Sequence, residues 1–463
     1  MRLAIAIMAA GKGTRLKSKR PKVLHEIGGK PLLAHVIAAA AQIAPPSDIF
    51  VIVGHDADRV KAAVAATGVQ FVLQAEQRGT GHAIQSTREQ VKDYETLLVL
   101  SGDAPLIQPE TIAKMRDFHF EQLAAMTILT AVPPDPQGYG RVLRRPDSAE
   151  VTAIVEQKAL SAEQAKAPEI NSGIYAFATD LLFDHIEELS ANNTLGELYL
   201  TDMAAVLVSA GHRVVAIQAE DPTEVLGANT IAEMMELDAA MRLATARRLM
   251  ASGVTIYRPE TVTIDGDVSI GADTIIEPFV QLLGHTEIGE DCRIRSYSVI
   301  ENCTLADKVL IGNSCLLTAS RIGPGAIVGP YAHLRPGSEI GEDAHIGNFV
   351  ETKNTKVGKG SKANHLSYLG DTQVGSGTNI GAGTITCNYD GVNKFKTVIG
   401  NDVFVGSDTA LVAPVSVGDG AFIGAGSCIT ENVPPDALAI GRARQVNKPE
   451  WARTKGPKCK IKR

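Results

Sequence analysis

Aromatic side chains are scarce: Phe, Tyr and Trp make up 5% of the 463 residues, and there is one Trp. A core without them must be built from Ala, Val, Ile and Leu, packed closely and often against glycine backbone. Cysteine is missing from the first 291 residues. All six (Cys292, Cys303, Cys315, Cys387, Cys428, Cys459) lie in the second half, and no pair has C-x-x-C spacing. That argues against a zinc ribbon and a disulfide scaffold, and leads to the expectation of reduced thiols in a cytoplasmic protein. No apolar run reaches membrane-spanning length, so no membrane partner is expected. The opening Met1–Met8 is too short for a secretory h-region and reads as a buried first strand. A large charge excess is lacking too: 45 Lys and Arg against 52 Asp and Glu leave −7, which with 44% hydrophobic residues excludes disorder.

Glycine is plentiful but uneven, with 15 in residues 1–250 and 27 in residues 251–450. Charge is uneven as well. Residues 442–463 carry nine Lys and Arg against Glu450 alone, on a body that is −15. A basic tail can bind nucleic acid, but one short tail on an acidic body fits better a solvated segment or a neighbour of an anionic small molecule.

The first 228 residues alternate short apolar runs (Ala4–Met8, Ile49–Val53, Gln70–Leu73, Leu97–Leu100) with Ala-rich stretches such as Leu32–Ile43. Alternation of this kind predicts a Rossmann-like α/β domain, a mostly parallel sheet with helices on both faces. Ligands then bind beyond the carboxyl ends of the strands, in the loops after Met8, Leu73 and Leu100. Thr230-x-x-Glu233 is a capping box, acids sit early and Arg242, Arg247 and Arg248 late, and Gly253 ends the run. One long helix over 230–252 is expected. From Ile264 aliphatic residues recur every six positions (Ile264, Ile270, Ile276, Leu282, Ile288, Ile294, Ile300), slip, and resume at Ile322 and again at Ile399. Three hexads make one triangular coil, so a left-handed parallel β-helix of about ten coils follows. The segment Thr386–Val398 breaks the rhythm and must leave the prism as a loop.

Met8-Ala9-Ala10-Gly11-Lys12-Gly13-Thr14-Arg15-Leu16 follows the first strand and reads as opening a helix. It is neither a dinucleotide fingerprint nor a Walker A loop. Small residues let backbone approach a nucleotide, while Lys12, Arg15 and Lys22 offer cations to phosphates. Asp103 sits at a strand end, where a carboxylate can hold Mg²⁺ or simply serve a turn.

These motifs, with Gln74-Ala75-Glu76-Gln77, Gly79-Thr80, Gly138-Tyr139-Gly140-Arg141, Ile154-Val155-Glu156 and Glu169–Gly173, resemble the sugar-nucleotide pyrophosphorylases in order and spacing. With the hexad half, the chain resembles, over nearly its full length, the bifunctional bacterial N-acetylglucosamine-1-phosphate uridylyltransferases/glucosamine-1-phosphate acetyltransferases. The resemblance implies three regions: a uridylyltransferase domain (1–229), a linker helix (230–252) and a β-helix N-acetyltransferase domain with a basic tail (253–463). It implies uracil recognition by Met8, Ala9, Ala10, Gly11, Gln74, Gly79 and Thr80, and phosphate at Lys22. Ser101, Gly102, Gly140, Glu156 and Asn171 complete the nucleotide-sugar contacts, and Mg²⁺ falls to Asp103 and Asn229. Met8 stands where Leu is usual, and Ser101 where the family often has Tyr.

In the second half the resemblance makes His365 the catalytic base, in a turn between Arg335 and Lys353 on one side and the ejected loop on the other. Glu351 is expected to orient its ring and Asn388 to polarise the reacting groups. Arg335, Lys353, Tyr368 and Asn379 would bind the sugar phosphate; Ala382, Asn388, Tyr389, Ser407, Ala425 and Arg442 would bind acetyl-CoA. Lys356 and Lys359 read as solvated charge. UTP and acetyl-CoA are the implied co-substrates, glucosamine-1-phosphate and N-acetylglucosamine-1-phosphate the acceptors, and a homotrimer the assembly. Two rival readings are a nucleotidylyltransferase with a merely regulatory β-helix and a non-catalytic scaffold. His365, Asn388-Tyr389 and Arg442 oppose the first; the phosphate loop with Asp103 and Asn229 opposes the second.

Overall fold

The computed structural model describes residues 2–146, 148–192 and 196–454; Met1, Cys459 and the tail from 455 lie outside the described residues. Contacts divide the chain into two compact units, residues 1–241 and 242–463.

The first unit is built on nine strands: β1 (Leu3–Met8), β2 (Ile49–Val53), β3 (Gln70–Leu73), β4 (Thr96–Ser101), β5 (Met126–Ala131), β6 (Arg141–Arg144), β7 (Val151–Val155), β8 (Ile170–Ala178) and β9 (Val214–Gln218). Seven form a sheet in the order β9-β5-β8-β4-β1-β2-β3, all parallel except β8. The antiparallel pair β6–β7 joins it at β8. Strand β1 shows why helices cover both faces: Ala4 and Ala6 pack into one core, Ile5 and Ile7 into the other. The order of strands reverses direction around β1, with β4 on one side and β2 on the other, and the loops after β1 and β4 therefore open into one crevice.

The helix Ile231–Ala251 spans the division. Met234 and Leu237 on its first half are buried in the first unit, Ala246 and Leu249 in the second. Its start is a variant capping box. Thr230 Oγ1 accepts from the Glu233 backbone N–H (3.2 Å), but Glu233 reaches back to the N–H of Asn229 (2.7 Å) rather than to that of Thr230.

The second unit is a left-handed β-helix of hexapeptide repeats with three parallel sheets of eleven, ten and nine short strands. Its first face begins at Thr255–Ile256, its second at Thr263–Ile264 and its third at Ser269–Ile270. Inward positions form one continuous aliphatic core, and the slips in the sequence row have a single cause. From Ile264 on, steps from the third face to the first and from the first to the second stay at six residues. Only the edge between the second and third faces varies. It is five residues from Ile300 to Leu305, Leu317 to Ile322, Thr352 to Val357 and Leu369 to Val374, and it expands between Thr386 and Ile399. The ejected segment leaves at this variable edge.

The edge between the first and second faces has a different character. Phe279, Tyr297, Tyr331, Phe349 and Leu366 recur there, all exposed and all at positive φ. Phe279 stacks on Tyr297 (centroids 5.1 Å) and Tyr331 on Phe349 (5.4 Å), leaving an apolar ridge. Cys292, Cys303 and Cys315 are buried in the prism, Cys428 is exposed, and all described cysteines are free. Burial pushes the thiols of Cys303 and Cys315 up to about 11, so they are inert core residues. Among the described residues no helix is long and apolar enough to cross a membrane.

Candidate active sites

In the first unit, the loop after β1 does not open a helix as the sequence suggested. It makes one 3-10 turn, Thr14–Leu16, which Lys17 ends at φ 51. Gly13 also has positive φ, and a Cβ there would press on the Lys22 side chain, so glycine is what lets the loop close over Lys22. The Lys22 ammonium pairs with Asp103 and donates to Asn229 Oδ1 (3.1 Å), which also accepts from the Arg15 guanidinium (2.7 Å). Four residues from three separate segments thus meet in the crevice beyond β1 and β4. Burial raises the Asp103 carboxyl, but Lys22 beside it and the Ser101 hydroxyl (2.6 Å) outweigh this and hold it below the usual carboxylate range. Met8 and Ser101 are register partners on β1 and β4.

The other expected nucleotide and sugar residues fall into two groups by their own contacts. Gln74, buried, donates to the carbonyl of Gly79 (3.1 Å), while Thr80 Oγ1 accepts from the N–H of Leu200 (2.9 Å). Gly140 accepts from the N–H of Asn171 (2.9 Å), and Glu156 lies against Gly140. Burial, with Asp202 nearby, raises the Glu156 carboxyl above its ordinary value. Asn171 donates to the Tyr175 hydroxyl (2.9 Å).

In the β-helix, His365 is exposed, two residues after the inward Ala363 and beside the ridge. Its orienting partner differs from expectation. Strand register sets Asn348, one coil earlier, opposite His365, and Asn348 Oδ1 lies 2.9 Å from its Nδ1. Glu351 belongs to the second face, opposite Tyr368, and its carboxylate takes Arg335 (2.9 Å). Nor does His365 stand between Arg335 and Lys353 and the ejected loop. Those cations occupy the variable edge together with the loop, across the second face from His365, and Asn379 lies on the first face.

At the variable edge Lys353 lies beside Lys394 of the loop, and that close like charge pulls its pKa below the ordinary lysine value. Lys394 was not anticipated; a basic residue inside the one segment that breaks the hexad rhythm was the available signal. The Asn388 amide donates one of its N–H groups to Asp371 (2.5 Å). A Cβ on Gly370 would collide with both the Tyr368 hydroxyl and the Asn388 amide, so glycine there allows the two to lie over the backbone. Ala382, Ser407 and Ala425 each follow a glycine in register on successive coils, and Arg442 donates to the Ala425 carbonyl (2.6 Å). Lys356 and Lys359 make exposed ion pairs with Glu339 and Glu342, worth little in water.

A nucleotide crevice on an α/β sheet, followed in one chain by a hexapeptide solenoid bearing an exposed His, defines a two-headed transferase. Family models agree: residues 5–198 match a MobA-like NTP transferase domain, and residues 267–302, 319–353 and 396–431 match bacterial transferase hexapeptide repeats. Curated relatives match end to end. The chain is 63% identical to the bifunctional protein GlmU of Koribacter versatilis (100% of this chain, 99% of the relative) and 50% identical to that of Solibacter usitatus (97% of each). It is 47% identical to that of Syntrophotalea carbinolica (99% of each). The chain belongs to the GlmU family of bifunctional proteins.

Proposed function

We propose that the chain makes UDP-N-acetylglucosamine in two steps, acetyl transfer from acetyl-CoA to glucosamine-1-phosphate and then uridylyl transfer from UTP to N-acetylglucosamine-1-phosphate. The observation that carries the reading is the convergence of Arg15, Lys22, Asp103 and Asn229 in one crevice, in the same chain as His365 on a hexapeptide solenoid.

For acetyl transfer, Nδ1–H of His365 donates to Asn348, which leaves the lone pair on Nε2 to take a proton. The sugar amine attacks the thioester carbonyl, its proton passes to Nε2, the new C–N bond forms and the C–S bond breaks to release CoA. Arg335, Lys353 and Tyr368 suit the sugar phosphate, with Asn379; the stacked turns at Ala382, Ser407 and Ala425, with Asn388, Tyr389 and Arg442, suit the cofactor. For uridylyl transfer, a phosphate oxygen of the sugar attacks the α-phosphorus of UTP in line and pyrophosphate leaves. Lys22, Arg15 and Lys12 neutralise the triphosphate, while Gln74, Gly79 and Thr80 hold the base and Gly140, Glu156 and Asn171 the sugar.

Magnesium fits this crevice. Asp103 and Asn229 present one carboxylate and one amide oxygen, hard donors that already share a single cation, the Lys22 ammonium. Mg²⁺ commonly takes one or two protein oxygens and fills its shell with water and phosphate. When bound there it would neutralise charge on the triphosphate.

A homotrimer is supported by the apolar ridge, which a single copy leaves in water. It is supported too by the separation of His365 from the variable-edge cations, which a neighbouring copy could complete. Free thiols fit a cytoplasmic setting. A coupled assay with glucosamine-1-phosphate, acetyl-CoA, UTP and Mg²⁺ should yield UDP-N-acetylglucosamine. Asp103→Asn should abolish uridylyl transfer and spare acetyl transfer, and His365→Ala should do the reverse; equal loss of both activities in either variant would refute the two-site reading.

A further inference from the structure

The ejected loop Asn388–Lys396 is attached to the solenoid at two points, its exit after Cys387 and its return at Thr397. Both touch one residue. Asp371 Oδ2 accepts from the Asn388 amide at the exit (2.5 Å), and the Asp371 carbonyl accepts from the N–H of Thr397 at the return (3.2 Å). The other carboxylate oxygen accepts from Asn354 one coil earlier (2.8 Å), and the Asp371 N–H donates to the Lys353 carbonyl (2.9 Å). Asp371 sits at φ 49, a left-handed conformation that Asp and Asn tolerate better than most residues. Its charge lies close to both Lys353 and Lys394, whose ammonium groups would otherwise repel each other. The loop closes on itself through the Phe395 N–H to the Asn388 carbonyl (2.9 Å), so fixing Asn388 fixes its base.

We propose that Asp371 is a positioning residue of the acetyl-transfer site: its carboxylate tethers the root of the Asn388–Lys396 loop and holds Lys353 and Lys394 side by side to receive the sugar phosphate. The proposal rests on the acetyltransferase reading above. It does not place Asp371 on the reacting atoms. Asp371 thus joins both ends of the loop to the coil, and losing one acceptor oxygen loosens that join.

The test is Asp371→Asn in the full chain. Asn keeps the shape and the left-handed backbone but turns an NH₂ toward donors that need an acceptor. The KM for glucosamine-1-phosphate should rise at least tenfold while kcat falls much less, uridylyl transfer should hold, and amide hydrogen exchange across Tyr389–Lys396 should quicken. A merely structural role would lower thermal stability without the KM-against-kcat split. Unchanged KM together with unchanged loop exchange would overturn the proposal. Exchange needs no substrate, so a wild-type chain unable to acetylate glucosamine-1-phosphate would sink the acetyltransferase reading, whereas slow exchange in Asp371→Asn would sink the tether. Should that variant not fold, Asn388→Ala cuts the same bond from the loop side and must quicken exchange there; unchanged exchange overturns the proposal.

Discussion

Single side chains in this protein act through what lies one register position away. Ser101, at the end of β4, donates its hydroxyl to the Asp103 carboxylate two residues on (2.6 Å). His119 shows the opposite case, a titratable group with no part in the chemistry. It is buried, its Nδ1 lies 2.8 Å from Thr127 Oγ1, and burial lowers its pKa to about 4. The unfolded chain binds a proton near pH 6.5 that the folded chain refuses until about pH 4. Stability is therefore full above pH 6.5 and falls as pH drops toward 4, by about 3 kcal/mol in all. His119→Gln should flatten this part of the profile, as read from urea denaturation at pH 6.5, 5.5 and 4.5; an unaltered slope would remove His119 as its source.

At the scale of elements, the first turn of the helix Ile231–Ala251 does more than end a domain. Glu233 holds the N–H of Asn229, and Asn229 holds Lys22 and Arg15. Glu233→Ala should thus raise severalfold the Mg²⁺ concentration needed for uridylyl transfer and leave acetyl transfer untouched; Glu233→Gln, which keeps an acceptor, should recover most of it. The helix was legible in the sequence because a cap, a charge gradient and a stop agree over twenty residues. The solenoid was legible for the same reason of repetition. The cause of its slips was not: a five-residue step at one edge moves the row out of period, and Thr352, Ala363 and Thr386 then fill inward positions with small residues that an aliphatic row passes over. Asn348 was missed since it is distant in sequence and adjacent in space; a search at one coil length, 17 residues before His365, would have found it. The short turn after the phosphate loop escaped because local pattern does not reveal that Lys17 adopts positive φ.

For the whole molecule, the ridge and the variable edge divide the labour of the prism. Phe349→Asp places a charge in the middle of the ridge, beside Tyr331 and one coil from Leu366. Light scattering should show smaller assemblies, with acetyl transfer lost and uridylyl transfer kept. A stable trimer that still acetylates would mean that copies meet elsewhere. The two edges also differ in what they tolerate. Along the ridge the chain keeps strict count, so a residue gained or lost would turn every later side chain of that face. Along the other edge the fold already accepts coils one residue short and one coil with a whole loop added. Sequence change can therefore remodel the rim where loop and cations stand, lengthening it or swapping its groups, while the surface that would join the copies stays in step. One prism edge is free to acquire chemistry because the other is not free to move.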